Sequence, residues 1–334
     1  MAFRLRLVPD VTHWDFFKHQ TLTLGFSIVM MIASVVFIAM NGLNFGIDFR
    51  GGTTIRTEST QATDVAEYRA ALDPLNLGDV SITEVFDPSF GADKHVAMIR
   101  IQAQEGDEAI TPEVTNAAEA ALKTVDPSVV FASVESVGPK VSGELISTAV
   151  YSVLAATIAI LFYIWLRFEW QFAVGAVVAL VHDVLVTVGI FALFQIKFDL
   201  TIIAALLTIL GYSINDTVVV FDRLRENLIK YKTMPLKDVM NLAVNETLSR
   251  TVMTSGTTLI ALICLLVLGG DVIRGFVFAM TWGVVVGTYS SVFVAKNIVL
   301  MIGLDRNKKP KDSGEVFFTE DPEQQAKDAA KGSK

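Results

Sequence analysis

The sequence predicts a multi-pass α-helical membrane protein with six transmembrane helices and one soluble α+β domain. Hydrophobic residues make up 52% of the 334 residues, and the mean hydropathy is +0.51. A soluble fold of this length does not bury that much apolar surface. The apolar residues also concentrate in six runs long enough to span a bilayer. These runs are 21–40, 142–166, 171–194, 200–221, 251–268 and 276–303.

The first run follows Arg4, Arg6 and Lys18 and therefore has the charged start of a signal peptide. Its apolar core is longer than that of an ordinary signal peptide, and no small-residue cleavage pattern follows Met40. We therefore expect an uncleaved membrane anchor at 21–40.

Lysine and arginine fall mainly on one side of the predicted spans. They occur in the N-terminal segment 1–20, in the link 222–250 and in the tail 304–334, whereas the opposite short links hold only Lys197 and Arg274. Positive loops favour the cytoplasm. The sequence therefore predicts cytoplasmic termini and a periplasmic region at 42–141. The link 222–250 fits either amphipathic helices or a solvated connection, and the composition of the tail predicts disorder.

The outer region 42–141 reads as one soluble domain with the order βαββαβ, which is typical of a ferredoxin-like split βαβ fold. The predicted strands are 53–57, 80–86, His95–Gln102 and 128–137, and the predicted helices are 61–72 and 112–124. Residues 45–140 contain 16 Asp and Glu against 7 Lys and Arg, which argues against a nucleic-acid partner. Cys264, the single cysteine, lies in the fifth apolar run, so the domain has no disulfide.

Asp216 is the most informative residue of the chain, because it lies inside the apolar run 200–221. A carboxylate at the centre of a membrane helix costs about 2.5–3.5 kcal/mol on insertion scales. Such a group usually faces a partner or a water path rather than lipid. The sequence therefore indicates a functional site at Asp216.

Arg250 is the natural partner of Asp216. The fourth run heads toward the cytoplasm and the fifth starts there, directly after Arg250, so both charges lie at a similar depth. Helical spacing extends each charge into a polar stripe. The stripe of Arg250 contains Thr254, Thr257 and Thr258, and that of Asp216 contains Tyr212 and Ser213. A purely structural ion pair is the alternative.

His182 and Asp183 lie near the middle of the third run. Both can titrate or form hydrogen bonds, so they could relay a proton or hold the bundle together. At the junctions with the outer domain, Asp48, Gly51 and Gly52 fit a structural hinge, and Gly138 with Pro139 fits a rigid elbow.

Three strings carry a resemblance to a known family: FGIDFRGGT at 45–53, SVGPKVSGEL at 136–145 and GYSINDTVVVFDR at 211–223. Together they closely resemble the SecF family of bacterial protein-export subunits, which is related to RND-type proton-driven transporters. The resemblance covers residues 14–303. It implies that the first two strings, with Gly46, Asp48, Gly51, Gly52, Gly138 and Pro139, are family motifs, and it carries over the roles of Asp216 and Arg250.

The resemblance also implies partners and a purpose. Six helices are half of the twelve found in transporters of this type, so an obligate partner resembling SecD is expected. Contacts with the SecYEG channel, unfolded exported polypeptides, membrane lipid and, as a weaker implication, YajC are expected in the bacterial inner membrane. No cofactor or metal is expected. Protons would drive movement of the outer domain that pulls exported chains outward, with sodium as the alternative ion.

Two other functions are weighed against export. Asp183 and Asp216 on adjacent helices could form an intramembrane aspartyl protease, but their predicted depths differ by roughly 10 Å and the Gly-x-Gly-Asp string is absent. Half of an RND-type solute exporter would share the topology and the proton site, and would require a second chain and a drug-like pocket.

Overall fold

The computed structural model describes residues 9, 12–86, 94–102 and 110–304. Nearly all of the predicted tail 304–334 lies outside them, as do Arg4 and Arg6. In chain order the elements are α1 (Gln20–Asn41), β1 (Asn44–Phe45), α2 (Ile47–Arg50), β2 (Gly52–Ser59), α3 (Val65–Leu72), β3 (Val80–Val85), β4 (His95–Gln102), α4 (Pro112–Val125), β5 (Val130–Val137), α5 (Pro139–Arg167), α6 (Trp170–Phe194), β6 (Lys197–Phe198), α7 (Leu200–Lys230), α8 (Leu236–Leu268), α9 (Asp271–Ser290) and α10 (Lys296–Ile302).

Six helices of the described chain are long and apolar enough to cross a membrane, which confirms the predicted fold class. They are α1, α5, α6, α7, α8 and the continuous unit of α9, the π-helical turn Ser291–Ala295 and α10. Large apolar side chains such as Phe26 on α1 and Phe162 on α5 are exposed, as expected for helices that face lipid. The predicted link 222–250 differs in the structure: α7 continues to Lys230 and α8 begins at Leu236, so only 231–235 are not helical.

Small residues allow close contacts at the centre of the bundle, where α6, α7 and α9 meet. Gly283 and Gly287 of α9 lie against Ile209 and Ser213 of α7, and a Cβ at position 287 would meet Ser213 Cβ at 3.1 Å. Gly189 of α6 packs in the same way on Ser34 of α1. The backbones of these helices therefore approach closely at the depth of the polar residues considered below.

The region between α1 and α5 is the predicted α+β domain. Its sheet has the strand order β3-β4-β2-β5 with antiparallel pairing throughout, which is the order of the ferredoxin-like split βαβ arrangement. Helices α3 and α4 cover one face, and α3 begins where Asp64 Oδ1 accepts from the amides of Ala66 and Glu67. The core contains Ile55, Tyr68, Leu72, Ile99, Ile101 and Leu122.

A buried carboxylate, Asp126, closes the end of α4 in this domain. It accepts hydrogen bonds from the hydroxyl groups of Ser59, Tyr68 and Ser128 and from the Ser128 amide. Burial by itself would raise the pKa of Asp126, but these hydrogen bonds outweigh it and hold the pKa below its ordinary value. Burial of the Tyr68 hydroxyl, together with the neighbouring charge of Asp126, raises the pKa of Tyr68 to about 12.

We expect Asp126→Asn to lower the free energy of unfolding of the α+β domain by about 2–3 kcal/mol at pH 7, because the charged acceptor is lost. A carboxyl whose folded pKa is depressed stabilises fully above its unfolded pKa of about 3.9, and that contribution disappears as the pH falls through the folded pKa. Hydrogen exchange of the β2 and α3 amides in the full chain measures both effects. Asp73→Asn is the control because Asp73 is exposed. Equal protection in both variants would contradict the prediction.

Candidate functional site

Three of the predicted site residues, Asp183, Ser213 and Asp216, lie in a buried polar cluster at the centre of the helix bundle. We define the central polar cluster as Asp183 of α6, Ser213 and Asp216 of α7, Ser255 of α8, and Thr288 and Ser290 of α9. Both carboxylates are buried, with 0% of Asp183 and 3% of Asp216 exposed. Four membrane helices therefore contribute polar side chains to one region.

Asp183 joins three of these helices. Ser213 Oγ and Ser290 Oγ both donate to Asp183 Oδ2, at 2.6 and 2.7 Å, while His182 Nδ1 lies 3.0 Å from Asp183 Oδ1. His182 Nε2 is buried without a hydrogen-bond partner among the described residues. The structure thus places His182 and Asp183 in a contact that links α6 to α7 and α9.

Asp216 has a much weaker set of contacts. Among the described residues, the hydroxyl that donates to its carboxylate within 3.5 Å is Ser255 Oγ, and Ser255 in turn lies 2.7 Å from Thr288 Oγ1. The hydroxyl of Thr254 interacts with the carboxylate more weakly. Since 3.5 Å is at the limit of a hydrogen bond, Asp216 is held loosely compared with Asp183. The carboxylate is buried, yet its surroundings compensate its charge only in part.

Arg250 is exposed and borders a cavity of about 490 Å³ at the end of the bundle remote from the α+β domain. The cavity is also lined by Asp222, Val219 and Glu246. Arg250 is near enough to act electrostatically on Asp216, but within the described chain the two residues form no ion pair. The ion pair between Asp216 and Arg250 that the sequence indicates stays a prediction.

The two carboxylates lie closer in depth than the sequence indicated. Ser213 contacts Asp183 and precedes Asp216 by three residues, which is about 4.5 Å along a helix. The depth offset is therefore about one turn, not roughly 10 Å, because α6 and α7 are shifted along each other relative to the ends of their apolar runs.

The predicted stripe on α8 mostly bonds to its own helix. The hydroxyls of Thr254, Thr257 and Thr258 donate to carbonyls within α8. Two of them also face α7: Thr258 Oγ1 accepts from Tyr212 Oη at 3.4 Å, and Thr254 interacts weakly with Asp216. The buried polar face of α8 consists instead of Thr247, Thr251 and Ser255. A relay role for the predicted threonines stays a prediction.

The glycine motif connects the membrane bundle to the α+β domain. Gly46 N donates to Phe198 O at 2.8 Å, and β1 pairs in parallel with β6 directly before α7. Asp48 Oδ2 accepts from Leu200 N at 3.0 Å, so it satisfies an amide of the first turn of α7. Gly51 and Gly52 have φ of 75° and 125°, which only glycine adopts readily.

At the C-terminal end of the domain, where the chain returns to the bundle, Gly138 is the N-cap residue of α5 and Pro139 is its first residue. Ser142 Oγ of α5 lies 3.4 Å from Ile47 O of α2. The elbow therefore lies beside the glycine motif, and both connections between domain and bundle meet at one place.

Sequence reasoning missed Lys296, which is fully buried in α10. Its Nζ donates to Phe16 O at 3.2 Å and lies 4.1 Å from the centre of the Phe17 ring. A lysine inside the sixth apolar run is a signal of the same kind as Asp216 and could have been recognised. Ser255, Thr288 and Ser290 carry no such signal. No cluster of three or more potential metal ligands occurs in the part of the chain that the structure describes.

Comparisons with known proteins match this architecture. A family model described as protein export membrane protein SecD/SecF, C-terminal, matches residues 117–305, and the SecD/SecF GG motif matches residues 36–63. Protein translocase subunit SecF from Rhodobacter capsulatus is 70% identical and covers 96% of this chain and 98% of its own length. The subunit SecF from Cereibacter sphaeroides is 72% identical, with 94% and 97% covered.

A solved structure agrees with the fold as well. The crystal structure of SecDF, a translocon-associated membrane protein from Thermus thermophilus, superposes with a TM-score of 0.78 at 32% identity. The match covers 89% of this chain and 39% of the SecDF chain. The match to the family model and the identity to these subunits, over nearly their full length, show that the chain belongs to the SecF family of protein translocase subunits.

Proposed function

We propose that this chain couples the proton motive force to polypeptide export across the bacterial inner membrane, through protonation of Asp216. The supporting observation is a carboxylate that is buried between membrane helices, with one long hydrogen bond from Ser255. The protonation of such a group responds to small changes in its surroundings. It can therefore act as a switch, whereas Asp183 is fixed by short hydrogen bonds.

The cavity beside Arg250 supports a proton route. Val219, which lines it, follows Asp216 by one turn of α7, so water in the cavity comes close to the carboxylate. In the proposed cycle an ionised Asp216 attracts Arg250, and protonation releases it. One proton crossing about 100 mV supplies about 2.3 kcal/mol, which biases a two-state element without driving a large change alone.

Helix α7 provides the mechanical connection. It runs unbroken from Leu200 to Lys230, and its first turn is held by Asp48 from the glycine motif. Four residues after Asp48, at Gly52, the chain enters β2, which pairs with both β4 and β5. A shift of α7 that follows protonation would therefore pull on a central strand of the α+β domain.

A cleft of about 830 Å³ separates the open face of the sheet from the ends of the membrane helices. It is lined by Asp48 and Asp199 together with Arg56, Arg100 and Phe276. Movement of α7 against the sheet would change the width of this cleft. We propose that the domain acts on an exported chain through this change.

In this proposal a second chain supplies the other half of the membrane domain. The SecDF protein from Thermus thermophilus matches this chain over only 39% of its length, and transporters with twelve helices in two repeats are common. We propose a separate SecD chain as partner, with the SecYEG channel and YajC as further contacts. Both termini are proposed to be cytoplasmic.

Export of a preprotein into inverted inner-membrane vesicles tests the proposal. We expect a proton gradient imposed without respiration to accelerate export, and a sodium gradient at constant pH to have no effect. Acceleration by a sodium gradient alone would show that sodium, not the proton, is the coupling ion, and no response to either gradient would overturn ion coupling.

The solute-exporter alternative predicts altered drug accumulation in cells that lack the chain, whereas the export function predicts slowed export at unchanged drug sensitivity.

Asp48→Ala is expected to lower proton-stimulated export, because the first turn of α7 loses its direct contact with the glycine motif and only the pairing of β1 with β6 remains. Loss of a capping contact costs about 1 kcal/mol, which leaves the bundle folded. Asp199→Ala is the matched control: Asp199 also caps α7, through Thr201 N at 3.1 Å, but belongs to the same segment as the helix. Equal losses of export in both variants would mean that capping alone matters, not coupling.

A further inference from the structure

A basic pocket lies where the α+β domain meets the membrane bundle. We call it the junction pocket: a cavity of about 410 Å³ lined by Arg50, Arg69 and Arg100, with Asp79 as the one acidic residue among the described residues that line it. Residues 44–47, which lead from α1 into α2, form its other wall. The three arginines come from three separate elements, α2, α3 and β4.

The described residues neutralise the positive charge in the junction pocket only in part. The side chain of Arg50 forms no ion pair or hydrogen bond with any of them, and Arg69 Nη1 donates to the carbonyl of Val80 at 3.1 Å. Among the described residues, Arg100 Nη2 has a 3.5 Å contact with Met98 Sδ and its Nε is buried without a hydrogen-bond partner. Asp199, which lines the neighbouring cleft with Arg100, acts on its charge without forming an ion pair. Asp79 forms no ion pair with the three arginines in the described chain.

This concentration of charge contrasts with the rest of the domain. Residues 45–140 carry 16 acidic and 7 basic side chains, yet three of those seven line this one cavity. If the charged residues of the domain were distributed at random, the excess of acidic over basic residues would place carboxylates near most arginines. The local excess of positive charge therefore favours an anion inside a domain that otherwise repels anions.

The junction pocket lies at the depth where helices leave the bilayer. Asn44 and Phe45 follow the end of α1 at Asn41 by three and four residues, and β1 pairs with β6 between the ends of α6 and α7. Phe45 is 38% exposed at the same place. Aromatic and basic side chains at this level face the lipid headgroups.

We propose that the junction pocket binds the phosphate group of an anionic membrane lipid, with Arg50 and Arg69 as the principal ligands. Guanidinium groups pair with phosphate through parallel hydrogen bonds and remain charged under all physiological conditions. The bound lipid would fix the α+β domain against the membrane surface. The proposal depends on the fold alone and is independent of proton coupling at Asp216.

The test uses the full chain in nanodiscs of phosphatidylcholine containing a minor fraction of phosphatidylglycerol. Native mass spectrometry after gentle detergent release gives the ratio of the two lipids retained. We expect Arg50→Gln and Arg69→Gln each to lower the phosphatidylglycerol preference about fivefold. The double variant should lower it further, but by less than the product of the two effects, because both arginines contact one phosphate. Lys123→Gln removes the same charge from an exposed pair with Glu119 on α4 and is expected to change nothing.

Two further measurements separate the outcomes. Arg50→Lys keeps the charge but not the parallel hydrogen bonds, so it is expected to retain more of the preference than Arg50→Gln and less than the unsubstituted chain. Hydrogen exchange of β2 shows whether each variant is folded. An unchanged preference in folded Arg50→Gln and Arg69→Gln overturns the proposal. Binding of inorganic phosphate with no preference for phosphatidylglycerol also overturns it, because the pocket would then take free phosphate instead of a lipid.

Discussion

Replacing Asp216 by asparagine is expected to abolish the stimulation of export by a proton gradient. Asparagine has nearly the same shape and can still accept the hydrogen bond from Ser255, so the bundle remains folded, but it cannot take up a proton. Export in vesicles, measured with and without the gradient, gives the ratio that should fall to about one. Proton flux through the reconstituted complex should fall with it.

The matched control is Asp222→Asn. Asp222 lies six residues later on α7, is partly exposed and pairs with Arg167 at 3.2 Å. It also borders the cavity beside Arg250, so this control distinguishes the buried carboxylate from an exposed one on the same proposed proton route. Exposed pairs contribute about 0–1 kcal/mol, so this variant should export normally. Proton-stimulated export that persists in Asp216→Asn would show that the carboxylate is not the switch.

Arg250→Met tests the other half of the proposed switch. The structure has Arg250 beside a water-accessible cavity and not in contact with Asp216, so the substitution should preserve folding and remove the cation that responds to ionised Asp216. Arg223→Met is the control, because Arg223 borders the same cavity but pairs with Glu226 and Glu246. Normal coupling in both Asp216→Asn and Arg250→Met would leave a structural role as the remaining explanation.

The sequence predicts the six spans and the βαββαβ domain well, because both follow from local patterns. A bilayer requires about twenty apolar residues per helix, and strands alternate with a period of two. Asp216 could be recognised for the same reason, since a charge inside an apolar run is visible without any structure. Lys296 had this signal too and was overlooked.

The contacts of the polar residues could not be predicted, because they depend on how each helix is rotated and shifted against its neighbours. On α8 the polar face that packs inward includes Thr251 and Ser255, whereas spacing from Arg250 predicts a stripe through Thr254, one residue before Ser255. One residue turns the face by about 100°. The contact between Asp48 and Leu200 joins residues 152 positions apart, which no local pattern reveals.

Asp183 shows how the two carboxylates of the central polar cluster differ. It accepts two short hydrogen bonds from serines of α7 and α9, and Gly287 of α9 packs directly on one of them, Ser213. Close backbone contact and short hydrogen bonds hold these helices in one arrangement. A group so fixed is suited to holding the bundle together, whereas a proton switch needs a second arrangement of similar energy.

We therefore expect Asp183→Ala to destabilise the bundle and Asp183→Asn to preserve both stability and proton-stimulated export. Hydrogen bonds between membrane helices average about 0.6 kcal/mol and reach about 1.7, so losing two should cost about 1–3 kcal/mol. Thermal unfolding of the purified protein measures the loss. Thr187→Ala is the control, because Thr187 lies one turn along α6, is buried, and its hydroxyl has no partner among the described residues. If Asp183→Asn remains stable but loses proton-stimulated export, Asp183 relays protons and the packing role assigned to it is wrong.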